Sequence, residues 1–272
     1  MDSTGITIIM NKLILILMFL FLSSGAQAMV QGKEVTYSNN GEILKGYIAY
    51  DDAIKGKRPG VLVVHEWWGH NDYARKRARM LAELGYTALA LDMYGEGKQA
   101  SHPDEAGKFA GEVAKNLPLA KARFESAMKF LKEQPGVDAN NIAALGYCFG
   151  GSVALQMARL GEDLKGVASF HGGLSTQTLA QLGKVKAHII SFTGTDDPMI
   201  PYEQVAAFKQ EMEQAGVDYK VVTFPGAKHS FTNPAADENG RKFNLPLAYD
   251  AAADKQSWEE TKSFLADVFK TK

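Results

Sequence analysis

The sequence predicts an α/β fold, a single domain built on a mostly parallel, twisted sheet with helices on both faces. Three observations predict it. Short apolar runs alternate with longer amphipathic stretches along nearly the whole chain, the β-α-β-α order that builds such sheets. The run GVLVVHE at residues 60–66 is continuously apolar through Val64, as strands covered on both faces are. No repeat or low-complexity segment interrupts the pattern, and the length suits one domain with a large core.

Each element has its own signal. EVTYSN and ILKGYIAYD read as an antiparallel pair turning at Asn40-Gly41, a hairpin dipeptide. After the GVLVV strand, DYARKRARMLAELG reads as a helix with Asp72 near its N-cap and Gly85 as its stop. The strand YTALALDMY follows, then helical stretches from about Asp104 to Asn116 and Leu119 to Glu133. Next come the strand IAALGY, a helix from Phe149, and the strands GVASFHGG, AHIISFTG and YKVVTFPG, with a helix from Tyr202 to Ala215 between the last two. A final helix is expected from about Leu247 to Phe269.

The N-terminus carries a different message. MNKLILILMFLFLSSGAQA holds Lys12, ten unbroken apolar residues from Leu13 to Leu22, and the small-residue ending Ala26-Gln27-Ala28. This is the pattern of a secretory signal peptide over residues 1–28, with Met10 as the expected true start. The apolar run is too short to cross a bilayer, which takes about 20 residues. The expectation is a periplasmic or secreted chain whose domain spans residues 29–272. Loss of Asp2 and Lys12 leaves the formal net charge at -1, so composition favours neither nucleic acid nor an anionic membrane as partner. Oligomeric state is not readable.

Cys148 is the only cysteine, so no intramolecular disulfide is available. Composition alone reads a lone cysteine as a small buried hydrophobe. A free thiol is open to oxidation in an exported protein, however, and its setting asks for a reason. Gly146-Tyr147-Cys148-Phe149-Gly150 matches the nucleophile elbow, a strained strand-to-helix turn that exposes its central side chain. The helix N-terminus beyond it favours a thiolate. An ordinary thiol is only a few per cent ionised at neutral pH and benefits from a base. His229 follows the last strand and Asp197 the one before, giving the order nucleophile, acid, histidine found in α/β-hydrolases. Asp196 is the alternative acid. His171, just after GVASF, is a candidate pocket residue. No histidine and carboxylate set has a metal-ligand pattern, so neither metal nor cofactor is expected.

HEWWGHND, GYCFGG, GTDDPMIP and AKHSF, in that order over nearly all of the chain after residue 28, resemble the dienelactone hydrolase family. The resemblance implies an α/β-hydrolase domain with a Cys-Asp-His triad on Cys148, Asp197 and His229. It gives Glu66 the role of holding the thiol in a resting orientation until substrate displaces it. The elbow motif implies backbone N–H groups of Phe149 and Trp67 as oxyanion donors. The chain departs from the family where two arginines would clamp a substrate carboxylate, since those places hold Glu96 and Asn233. Lys98, Arg75 and Lys228 could stand in. Trp67, Trp68, Tyr94, Phe149 and Phe231 would line an aromatic-rich pocket for a neutral ester or lactone. The reading is therefore an exported cysteine hydrolase of small esters or lactones. A thiol sensor or non-catalytic small-molecule-binding protein, or a peptidase or acyltransferase on the same scaffold, remain alternatives.

Overall fold

The computed structural model describes residues 30–270; the expected signal peptide lies outside the described residues. Among the described residues eight strands form one sheet: β1 (Val30–Asn39), β2 (Glu42–Asp51), β3 (Arg58–Val64), β4 (Thr87–Leu91), β5 (Val137–Tyr147), β6 (Gly166–Phe170), β7 (His188–Gly194) and β8 (Tyr219–Phe224). Their order across the sheet is β1-β2-β4-β3-β5-β6-β7-β8. β1 and β2 are antiparallel, as are β2 and β4, and every other neighbour pair is parallel. The hairpin turns at Asn40 (φ +48°) and Gly41 (φ +90°), the two left-handed residues a tight hairpin requires.

Among the described residues seven helices cover the sheet: α1 (Asp72–Glu83), α2 (Pro103–Ala114), α3 (Leu117–Lys132), α4 (Phe149–Leu160), α5 (Tyr202–Gln214), α6 (Ala236–Phe243) and α7 (Ala251–Val268). Alternate residues of the central strands feed two separate cores. Leu62, Val64, Leu89 and Val167 pack with Phe124, Met157 and Phe208 of α3, α4 and α5. Val61, Val63, Ala90 and Ala168 pack with Ala78 and Leu81 of α1 and Leu265 of α7. This two-sided burial is why β3 and β4 read as unbroken apolar runs.

Asp72 stands beside the N-cap of α1 as expected, while the start of the last helix and the presence of α6 differ from expectation. The N-cap of α1 is Asn71, whose side chain accepts from the backbone N–H of Tyr73 and Ala74, so Asp72 becomes the first helical residue. The last helix begins at Ala251 behind an Asp250 cap rather than at Leu247. Residues 247–250 instead run beside the His229 loop, with Ala248 N–H donating to the His229 carbonyl at 3.2 Å and Asp250 N–H to that of Phe231 at 3.0 Å. Helix α6, unanticipated, is the eight-residue segment ADENGRKF, whose apolar face is only Ala236, Gly240 and Phe243, too slight to announce a helix.

Candidate active site

Cys148 sits between β5 and α4 with φ +52° and ψ -117°. A non-glycine residue holds such a conformation only where its surroundings impose it. The glycines around it are what allow the turn. A Cβ on Gly146 would lie 2.0 Å from the Gly150 carbonyl oxygen, and one on Gly150 2.3 Å from that of Val64. A Cβ on Gly151 would meet Ser169 Oγ at 2.6 Å. The start of α4 is thus pressed against the ends of β3 and β5, and the half-buried thiol stands at the carboxyl edge of the sheet, where sites form in such folds.

His229, in the loop after β8, places Nε2 3.0 Å from Cys148 Sγ and Nδ1 2.8 Å from Asp197 Oδ2. Both His229 and Asp197 are buried. The second Asp197 oxygen accepts from Met199 N–H at 2.8 Å, which fixes the carboxylate. Asp196 is exposed and accepts from Thr195, so only Asp197 meets the imidazole. Burial alone disfavours the imidazolium, but the charges of an ionised Cys148 and of Asp197 outweigh it and push His229 up to about 10. The arrangement can hold a thiolate-imidazolium pair with a carboxylate behind it.

Glu66 is buried and close by, yet its hydrogen bonds run elsewhere than the resemblance implies. Ser230 Oγ donates to its Oε1 at 3.0 Å and Asn233 Nδ2 donates to its Oε2. Burial raises its carboxyl above the ordinary range, and these two bonds pull it back only in part. The thiol makes its bond to His229, not to Glu66.

The expected pocket residues divide. Trp68 borders a cavity of about 510 Å³ together with Asn233 and Phe243. Trp67 and Trp68 touch, ring centroids 5.0 Å apart, because Gly69 N–H closes a turn onto the Glu66 carbonyl and the chain is not extended there. Tyr94 donates to the Trp67 carbonyl at 3.0 Å and packs against Phe149. Two expectations are corrected. His171 is fully buried beneath the elbow, both ring nitrogens engaged, and Phe231 is fully buried in the α1/α7 core against Phe224. Neither borders a described cavity, and nor does the buried Tyr94. Among the described residues no acceptor takes the backbone N–H of Trp67 or Phe149.

Of the cations considered, Arg75 borders the Trp68 cavity but is paired with Glu34 and Asp72, while Lys98 and Lys228 are exposed and outside it, as is the carboxylate Glu96. Sequence reasoning missed a cavity that begins one residue beyond Cys148. A cavity of about 550 Å³ lies against Phe149, walled by Val113, Leu117, Val153 and Met157. It also missed Ser230 and Thr232, although their place beside His229 was a usable signal. Asp92 was missed too; its carboxylate takes four backbone N–H groups, from Lys45, Tyr94, Gly95 and Gly97, and so shapes the loop after β4.

Comparison with known proteins decides the family. The sequence pattern of the dienelactone hydrolase family matches residues 44–269. The chain belongs to the dienelactone hydrolase family. This family member is 28% identical over 240 residues to "Protein usf" of Aquifex pyrophilus, covering 87% of this chain and 98% of that one. It is 27% identical over 243 residues to a protein of Aquifex aeolicus that carries the name carboxymethylenebutenolidase, covering 88% and 100%. A solved structure, that of a dienelactone hydrolase-like promiscuous phosphotriesterase from metagenomic libraries, is 33% identical with a TM-score of 0.83, covering 89% of this chain and 99% of that one. As a dienelactone hydrolase-like enzyme the protein is a hydrolase of the ester and lactone class.

Proposed function

We propose that the protein is an exported cysteine hydrolase of small neutral esters or lactones that works through an acyl-enzyme on Cys148. The observation that carries this reading is the line Cys148 Sγ, His229, Asp197, with contacts of 3.0 and 2.8 Å. The thiolate attacks the ester carbonyl, and the oxyanion is held by the free N–H groups of Trp67 and Phe149. The imidazolium of His229 gives its proton to the departing alkoxide. Water then loses a proton to His229, adds to the thioester, and the acid leaves as the thiol is restored. Asp197 orients the ring and stabilises its charged form. Glu66, buried beside the His229 loop, is the candidate gate for the thiol.

The cavity against Phe149 supports the neutral substrate, since apolar side chains face uncharged ones such as Ser152, Gln156 and Thr176 across it and Lys115 is its single charged lining group. The signal-like pattern of residues 1–28 supports export, which N-terminal sequencing of the secreted or periplasmic form would check. Cys148→Ala should reduce hydrolysis of a small neutral aryl ester to the uncatalysed rate; turnover comparable to the unaltered protein would end the proposal.

Likeness to the promiscuous phosphotriesterase favours a second, slower activity on neutral aryl phosphotriesters. The same thiolate would displace the aryloxide at phosphorus, His229 giving the aryloxide its proton, and water deprotonated by His229 would then break the S–P bond and release the phosphodiester. No turnover of such a triester by an ester-competent preparation removes that second activity.

A further inference from the structure

The elbow and the His229 loop are joined beneath the thiol by a buried chain of hydrogen bonds that the proposed chemistry does not use. The backbone N–H of Cys148 is shared between the Phe170 carbonyl at 2.9 Å and Nδ1 of His171 at 3.1 Å. An N–H can only donate, so Nδ1 must be bare and the proton of the neutral ring sits on Nε2. That Nε2–H faces Thr232 Oγ1 at 2.8 Å. Thr232, three residues beyond His229, meets Tyr73 OH at 2.6 Å. Arg77 closes the chain, Nε donating to Tyr73 OH at 3.2 Å and Nη2 to the Thr232 carbonyl at 2.7 Å and to Asp254 at 2.6 Å. His171 and Thr232 are wholly buried, and His171 keeps φ +40°, a left-handed conformation its surroundings must impose.

We propose that His171 and Thr232 are positioning residues, whose side-chain hydrogen bond fixes Cys148 relative to His229 by bridging the two loops that carry them. The proposal rests on the reading of Cys148 as nucleophile. Sγ and Nε2 come from different strand ends, so their 3.0 Å separation needs a tie between those ends. This bridge starts on the nucleophile's own backbone and ends three residues from the base. Burial, together with the positive charges of His229 and Arg77, holds the His171 ring neutral, the state in which Nδ1 can accept.

The test compares Thr232→Val, which deletes the acceptor at nearly constant shape, with Thr232→Ser, which keeps it. On a small neutral aryl ester, Thr232→Val should lower kcat about 10- to 100-fold, the cost expected of a small misplacement, with KM within about twofold. The pH profile of thiol alkylation by iodoacetamide should shift with it, and Thr232→Ser should restore both. A kcat for Thr232→Val within about twofold of normal, or equal loss in Thr232→Ser, would overturn the proposal. On the unaltered protein, nitrogen NMR should find His171 neutral with its proton on Nε2 at neutral pH; a charged ring or the other tautomer overturns the proposal whatever the variants do. Activity surviving in Cys148→Ala would sink the nucleophile reading, whereas a dead Cys148→Ala beside a fully active Thr232→Val sinks the positioning role alone.

Discussion

Asn233 donates its side-chain amide to the buried carboxylate of Glu66. A neutral amide thus stands four residues beyond His229, where the family resemblance leads one to expect a guanidinium. It leaves Glu66 without a cation in hydrogen-bond contact, and the cations lining the Trp68 cavity are Arg75, already paired with carboxylates, and the exposed Lys242. Asn233→Arg should therefore raise the ratio of kcat/KM for a carboxylate-bearing lactone over a neutral ester by about tenfold, the worth of one well-placed charged contact. An unchanged ratio would mean that substrate carboxylates do not approach this corner.

The imidazolium of His229 owes its stability to Cys148 and Asp197. Its raised pKa means that the ion pair stabilises the fold fully below about pH 6.5 and that this contribution is lost as pH rises through about 10. The rate kcat/KM on a neutral ester should fall along the same high-pH limb. Asp197→Asn should move that limb to lower pH and reduce kcat by roughly 10²- to 10⁴-fold. A limb that stays in place would show that Asp197 does not hold the proton on His229.

The apolar cavity makes a prediction about chain length. Val153→Phe fills space next to Phe149, so kcat/KM for a hexanoyl aryl ester should drop about tenfold relative to the acetyl ester, the scale of a few displaced methylenes. Equal losses on both esters would place the long arm elsewhere.

His70 is buried and its Nε2 has no partner among the described residues. Burial first, and then the neighbouring His65 and Arg75, push it down to about 3. A depressed histidine gives its full stability above about pH 6.5 and loses it as pH falls toward the folded value. Comparing unfolding free energies of the unaltered protein and His70→Asn, the difference should move against the unaltered protein by about 1 kcal/mol per pH unit between pH 6 and 4.5. Parallel pH curves would show that His70 protonates as easily folded as unfolded.

Arg159 and Glu211 form a buried two-pronged ion pair, both contacts 2.8 Å, and Arg159 also holds the Leu174 carbonyl at 2.7 Å. Removing one member strands the other charge, so Glu211→Ala should cost about 3–5 kcal/mol in urea unfolding. A loss under about 1 kcal/mol would mean that water reaches the guanidinium.

Most of the sheet was legible because burial on both faces writes itself as unbroken apolar runs, and the helices on it as amphipathic ones. Cys148, Asp197 and His229 were legible as candidates because each lies in the turn or loop at the carboxyl end of a strand. His171 and Phe231 misled for one reason: they too follow strands, and position after a strand says nothing about which way a side chain turns. His171 turns under the elbow to meet a backbone N–H, and Phe231 turns into the core. The wall of the apolar cavity was illegible because Val113, Leu117, Val153 and Met157 sit on helices, where apolar residues look like core. Helix α6 was illegible because it is short and its only large apolar residue is Phe243, although its end is closed by Leu245 N–H donating to the Gly240 carbonyl at 3.0 Å.

The crowding of Gly146, Gly150 and Gly151 bears on how such an enzyme can change its substrate over generations or in the laboratory. Added side chains at these points would meet backbone or a short buried side chain within 2.6 Å, so the ground beneath the thiol is closed to variation. The open ground is the cavity wall at Leu117 and Val153, where apolar size can alter, and the loop corner at Asn233, where charge can, both without disturbing the turn. A library built to redirect this hydrolase should spend its diversity there and leave the glycines alone.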